Sequence, residues 1–165
     1  LDRSKISLPF NNVKSWGESE LAFVVKKKSK NIDQSTASKN ILGYLLANDI
    51  SSENVYGRDH HLARSKAADN YCPISYSINT NFTPTDQTIK FYHNDTLLRM
   101  ASLSDMTLSV SEILSWLSSW MTLLPGDIIL TGAPPRVIDR MYLNKGDKLT
   151  CICEGLNDLN NTIDE

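Results

Sequence analysis

Only three cysteines occur in the 165 residues, at positions 72, 151 and 153. A small odd set excludes the framework of paired disulfides on which small secreted domains depend. Cys151 and Cys153 stand two apart, which on a strand places both on one face. They lack the paired spacing of a zinc site, so buried, reduced thiols are expected. No apolar run approaches the roughly 18 residues needed to cross a bilayer, and nothing at the N-terminus reads as a signal peptide. A soluble, cytoplasmic protein with no membrane partner is therefore expected. A surplus of charge of one sign is also missing. The 17 basic and 19 acidic side chains leave a net charge of −2, which argues against a nucleic-acid partner. The one basic cluster, Lys26, Lys27, Lys28 and Lys30, reads as a solvated strand end or loop. With no internal repeat, low-complexity tract or linker, the length fits a single domain able to bury a substantial core.

Residues 21–26 (LAFVVK) are rich in strand formers. Residues 41–48 (ILGYLLAN) form a short apolar run that fits either a buried strand or part of a helix. Residues 89–93 and 97–100 flank Asn94-Asp95, a candidate hairpin turn, and residues 149–153 suggest a late strand entered through Lys145-Gly146-Asp147. The clearest helix covers about Val110 to Met121. Ser109 and Glu112 have the spacing of a capping box, in which a hydroxyl and a carboxylate each satisfy a free backbone N–H. Val110, Ile113, Leu114, Leu117 and Met121 then recur at helical spacing, and Pro125 prevents continuation. One strong helix among short strands implies a β-rich α+β domain.

Glu18-Ser19-Glu20 opens the first long strand. Residues i and i+2 project from one face of a strand, so the two carboxylates would point together. Two anions held close raise a pKa unless a cation neutralises them, and hard oxygen donors suit Mg²⁺, Mn²⁺ or Ca²⁺. Asp49, after the apolar 43–48 segment, could supply a third carboxylate. On its own Glu-x-Glu is a weak signal, and an ordinary solvated strand edge is its commoner explanation.

The order of further motifs adds to this. Residues 18–22 (ESELA) resemble the ExELA segment of the fumarylacetoacetate hydrolase family, and Gly43-Tyr44 with Asn48-Asp49-Ile50-Ser51 resembles its GY…ND(I/V)S segment. Arg64, Lys66 and Asp69, followed by Cys72-Pro73, are similar to its R-x-K-x-x-D…CP stretch. Asp105-Met106 matches its D-M pair, and residues 124–134 (LPGDIILTGAP) its PGD-x-I-x-TGTP loop. Gly146-Asp147, Glu154-Gly155-Leu156 and Leu159-Asn160 complete the series over essentially the whole chain.

The resemblance implies a β-roll-like mixed sheet with few helices, forming a single catalytic domain over residues 1–165 that is incomplete at its N-terminus. It implies Mg²⁺ or Mn²⁺, with Ca²⁺ as a further option, held by Glu18, Glu20 and Asp49. Lys66 and Thr131 would be catalytic and Gly132 would line the substrate site. A cation so held could chelate the carboxylate and keto oxygens of a small 2-oxo acid and stabilise an enolate, in hydrolysis, decarboxylation, hydration or tautomerisation. A homodimer is implied as well.

Several positions depart from the family pattern. The family carries, upstream of its Glu-x-Glu strand, a lid segment with a His and a Glu that handle protons, and this sequence starts after that point. The alternative to an enzyme is therefore a catalytically silent subunit that pairs with or regulates an active homologue. Glu53 stands where the family has arginine, Arg99 where glutamine is common, and Arg136 where glycine is. Arg99, with Arg136, either restores positive charge for binding an acidic substrate or lies on a variable surface loop. His60 and His61, as residues of the type that commonly serves in acid–base catalysis, are either replacement bases or an exposed loop pair. Trp116 and Trp120, four apart, read as packing.

Overall fold

The computed structural model describes residues 1–9, 13–54, 57 and 59–164. Among these residues three sheets carry the fold, in the β-rich α+β arrangement that the sequence implies. The largest has the order β1 (Lys5–Ile6), β10 (Leu159–Ile163), β9 (Lys148–Cys153), β6 (Thr88–His93), β7 (Thr96–Ser102). The β1–β10 pair is parallel and the others are antiparallel, which makes the sheet mixed. A three-stranded sheet places β3 (Ser19–Val25) between β4 (Ile41–Asn48) and β8 (Ile128–Leu130), and β2 (Ser15–Trp16) pairs with β5 (Ser51–Ser52).

All seven residues of β3 are buried, so both of its faces are covered. Leu21, Phe23 and Val25 join the main core with Phe91, Leu149 and Cys151. Ala22 and Val24 face the other way and meet Leu45 and Ala47 of β4. A strand buried on both faces needs an unbroken apolar run, which explains why 21–25 shows no alternation. Residues 41–48 also resolve to a strand, which is covered on both faces only over 45–48, Leu42 being exposed. In the five-stranded sheet β6 and β9 alternate, with Ile89, Phe91 and His93, and Leu149, Cys151 and Cys153, turned inward. Cys151 and Cys153 share that face as expected, but Cys72 is exposed, because it lies in an irregular segment with no sheet to cover it. All three thiols are free.

The hairpin β6–β7 turns at Asn94-Asp95, with Asn94 at φ +53°. Asparagine tolerates this left-handed region better than most side chains. Helix α2 (Val110–Trp120) begins on a complete capping box: Ser109 Oγ accepts from the Glu112 N–H, and the Glu112 carboxylate accepts from the Ser109 N–H at 2.7 Å. It buries Val110, Leu114 and Ser118 against a 3-10 helix (Gln34–Asn40) and the turn before it, where Ser115 Oγ donates to the Ile32 carbonyl and Ser118 Oγ accepts from the Ile32 N–H. Trp116 and Trp120 are 61% and 60% exposed and touch each other edge to face at 5.6 Å. They belong to the solvent side of the helix and not to its packing face, which corrects the expectation from their spacing. No helix among the described residues is long and apolar enough to cross a membrane.

Candidate active site

Strand register alone brings three acidic side chains together. β3 and β4 pair with Ser19 opposite Asn48 and Glu20 opposite Ala47. Glu18 and Asp49 therefore meet one step beyond the last pair, where the Asp49 N–H donates to the Glu18 carbonyl at 2.8 Å. Glu18 and Glu20 share the parity of Ala22 and Val24, and Asp49 that of Leu45 and Ala47. Alternate residues of a strand face one side, so all three carboxylates extend the smaller apolar cluster. Asn48 has the opposite parity and is fully buried. Its Oδ1 accepts the Glu18 N–H at 3.1 Å, while its Nδ2 is a buried donor without a partner. Gly17 makes this turn into β3 possible, since a Cβ there would lie 2.6 Å from Phe91 Cζ and 2.9 Å from Asn48 Oδ1.

Two cations complete the cluster. Lys66 ends the short helix α1 (Ala63–Lys66), which starts on Leu62 in the left-handed region. Its ammonium donates to Asp49 Oδ2 and stands 3.6 Å from Glu18 Oε2. Arg99, on β7, donates through Nη2 to Glu18 Oε1 and through Nη1 to the Pro134 carbonyl at 2.6 Å. The remaining side is the loop after β8. Because Ala22 pairs with Leu130, Thr131 lies beside Leu21 and Gly132 beside Glu20. The Thr131 hydroxyl and N–H both donate to the Leu21 carbonyl, at 2.9 and 3.1 Å, and the Gly132 N–H donates to Glu20 Oε2. Gly132 sits at φ +96°, a conformation that side-chain-bearing residues avoid.

Glu20 is only 5% exposed. Burial pushes its carboxyl up to about 7; Asp49 and Glu18 add to the rise, while the Gly132 N–H and Lys66 oppose it. Burial also raises Asp49, against the ammonium of Lys66. Three carboxylates thus face two cations, and burial holds Glu20 toward its neutral form. Oxygen donors of this kind fit a hard divalent ion, and the residues that would hold it are Glu18, Glu20 and Asp49. Among the described residues, no three His, Cys, Asp or Glu side chains already stand around a common point. Arg99 and Lys66 draw Glu18 and Asp49 toward themselves, so the donor set fits in chemistry while its oxygens are held by other partners.

The structure brings Glu18, Glu20, Asp49, Lys66, Arg99, Thr131 and Gly132 into one neighbourhood, and it restricts three of them. The Thr131 proton is spent on the Leu21 carbonyl, the Gly132 N–H on Glu20, and Arg99 on Glu18 and Pro134. His60 and His61 are exposed in the turn before α1, and Glu53 is exposed. Sequence reasoning passed over two features. One is the bracing of Glu18 by Asn48, for which a buried amide at the end of an apolar strand was the available signal. The other is the buried His93, whose Nε2 lies 2.7 Å from Asp147 Oδ2. That contact lacks the alignment of a hydrogen bond, and it brings β6 against the turn before β9, away from the carboxylates.

On the far side of the Thr131–Gly132 loop lies an apolar cavity of about 670 Å³, lined by Leu21, Met106, Trp116 and Pro134 among others. None of the three clustered carboxylates lines it.

A family model described as fumarylacetoacetate (FAA) hydrolase C-terminal matches residues 2–164. An uncharacterised protein of Methanocaldococcus jannaschii is 36% identical over 146 residues, covering 88% of this chain and 60% of that protein. A mitochondrial oxaloacetate tautomerase of Xenopus laevis is 30% identical over 172 residues, covering 96% of this chain and 52% of the relative. Among solved structures, 2-hydroxyhepta-2,4-diene-1,7-dioate isomerase from Mycobacterium marinum superposes with a TM-score of 0.92 at 34% identity, over 99% of this chain and 64% of that one. The chain thus spans little more than half to two thirds of the length of these proteins.

Proposed function

The chain belongs to the fumarylacetoacetate hydrolase family, and from that premise we propose that it forms the catalytic portion of a divalent-metal-dependent enzyme acting on a small 2-oxo acid. The observation that carries this reading is the convergence of Glu18, Glu20 and Asp49, with Lys66 among them, from three separate segments of the chain. The relatives named as an oxaloacetate tautomerase and a dienedioate isomerase support a reaction through an enol or enolate. Mg²⁺ or Mn²⁺ held by the three carboxylates would supply Lewis acidity to the carboxylate and keto oxygens of the substrate.

The protein's own groups do the rest. Asn48 fixes the backbone of Glu18, and the Gly132 N–H fixes one oxygen of Glu20, so the Glu20 carboxylate is already ordered when substrate arrives. Lys66 sets a positive charge beside Asp49 and Glu18, where negative charge on a substrate oxygen would be stabilised in a partly dry site. Thr131 anchors the loop to β3 and can still accept a hydrogen bond at its oxygen. Glu20 keeps its proton up to about pH 7 and must release it to act as a ligand.

Calorimetric titration with oxalate, a planar mimic of the enolate of a 2-oxo acid, tests this reading. Binding is expected with Mn²⁺ and not in chelator. One observation favours a second reading, a catalytically silent subunit: Arg99 already occupies an oxygen of Glu18. Failure of both Mn²⁺ and oxalate to bind would support that alternative.

A further inference from the structure

Three buried hydroxyls join segments that carry residues of the site. Ser15 Oγ lies 2.8 Å from Ser52 Oγ, which lies 2.8 Å from the Tyr71 hydroxyl. All three residues are 3% exposed or less, so water does not compete for these bonds. Ser15 precedes Glu18 by three positions, Ser52 follows Asp49 by three, and Tyr71 follows Lys66 by five. The same segments are also tied through the backbone. β2 and β5 continue the register of β3 and β4, with Trp16 opposite Ser51 and Ser15 opposite Ser52. Between the two ladders the pairing opens, because the Ile50 N–H turns to the carbonyls of Asn48 at 3.1 Å and Tyr71 at 2.8 Å. Glu18 and Asp49 stand at this opening. On its far side the β2–β5 pair is only two residues long, and a strand pair that short is marginal unless something else holds it. The hydroxyl chain supplies that hold, and the Tyr71 ring, packed in the main core, gives it a fixed end. The Tyr71 N–H donates to the Ala68 carbonyl at 3.1 Å, which leads back to α1 and Lys66.

We propose that the Ser15–Ser52–Tyr71 hydroxyl chain sets the spacing of Glu18, Asp49 and Lys66, so that Tyr71 is a positioning residue for the metal-binding carboxylates. This rests on the metal-dependent reading given above. Phenylalanine at 71 and alanine at 52 would fill much the same space, so packing alone does not call for these hydroxyls. A buried polar network whose members bond one another fixes one arrangement of its segments, more sharply than apolar contact does. Carboxylates from separate segments that must close on one ion depend on such an arrangement. Groups that orient ligands from outside the coordination sphere typically change metal affinity about 10- to 100-fold when they are removed.

Calorimetric titration with Mn²⁺, followed by oxalate, compares the wild-type chain with Tyr71→Phe, Ser52→Ala and the double variant. Each single variant is expected to bind Mn²⁺ about ten-fold or more weakly. The double variant should lose no more than the weaker-binding single variant, because both groups belong to one chain of bonds. Ser52→Thr, which keeps the hydroxyl, should recover the affinity that Ser52→Ala loses. Ser118→Ala is the control for stability alone. It removes a buried hydroxyl that bonds Ile32 and Ser115 beside helix α2, and it should weaken resistance to urea while leaving Mn²⁺ affinity as in the wild type. If Tyr71→Phe disturbs folding by circular dichroism, Ser52→Ala carries the test. Wild-type Mn²⁺ affinity in the single variants, losses that simply add in the double variant, or an equal fall in Ser118→Ala would overturn the positioning role. If the wild type binds Mn²⁺ and oxalate and the variants match it, only this inference falls. If the wild type binds neither, the metal-dependent reading falls and the positioning role with it.

Discussion

Replacing Glu20 by glutamine isolates the electrostatics of the site. Glutamine has nearly the shape of a protonated glutamic acid. Its carbonyl can accept the Gly132 N–H that Glu20 Oε2 now accepts, and its uncharged amide takes the place of the protonated acid beside Asp49. The carboxyl of Glu20 is raised from 4.5 to about 7, chiefly by burial. An acid with a raised folded-state pKa binds its proton more tightly folded than unfolded, so its contribution to stability is complete below pH 4.5 and is lost as the pH rises to about 7. A shift of that size corresponds to about 3 kcal/mol. Urea denaturation of wild type and Glu20→Gln, in chelator, from pH 4.5 to pH 8.5 measures the effect directly. The difference between the two proteins should grow across this range by about 3 kcal/mol in favour of the variant and level off above pH 7. Stability curves that run parallel at every pH would show that Glu20 is ionised throughout, and the electrostatic description of the site would be wrong.

Other outcomes follow from the same contacts. Since Glu20 must lose its proton to become a ligand, Mn²⁺ binding should release protons below pH 7 and tighten between pH 6 and pH 8, as titrations in buffers of different ionisation enthalpy would reveal. Arg99→Gln frees Glu18 Oε1 and removes a charge that repels a cation, so Mn²⁺ affinity should rise about ten-fold or more, given that a hydrogen bond to a charged group is worth about 1.5–3 kcal/mol; unchanged affinity would mean that Arg99 does not compete for Glu18. Gly17→Ala would drive a methyl into Phe91 and Asn48 and should cost about 1–3 kcal/mol in chemical denaturation, the usual range for overpacking.

Much of this was legible in the sequence because local patterns and global fold agree. The Ser109–Glu112 box and the apolar spacing that follows set helix α2 to within a residue of its observed end at Trp120. The two-residue spacing of Cys151 and Cys153 placed both on one face correctly, since β9 has a distinct inner face. The run 41–48 was ambiguous for a physical reason: its second half, 45–48, is covered on both sides and so loses the periodicity that separates strand from helix. The motif order located Glu18, Glu20, Asp49 and Lys66, but nothing along the chain says which partner each takes. The pairing of Arg99 with Glu18 joins residues 81 positions apart and depends on the register of β6 with β7, which no motif encodes. The Trp116–Trp120 pair misled because helical spacing says that two side chains are neighbours and not whether they face the core.

The central claim is that Glu18, Glu20 and Asp49 hold one divalent ion that in turn receives a 2-oxo acid. Crystals grown with Mn²⁺ and oxalate, with anomalous data collected at the manganese edge, test it most directly. We expect one strong anomalous peak at about 2.0–2.6 Å from an oxygen of each of the three carboxylates, with oxalate on its open side and no such peak in Glu20→Ala. A peak elsewhere in the molecule, or wild-type crystals in which Arg99 and Lys66 still hold Glu18 and Asp49 and no manganese lies between the carboxylates, would contradict it.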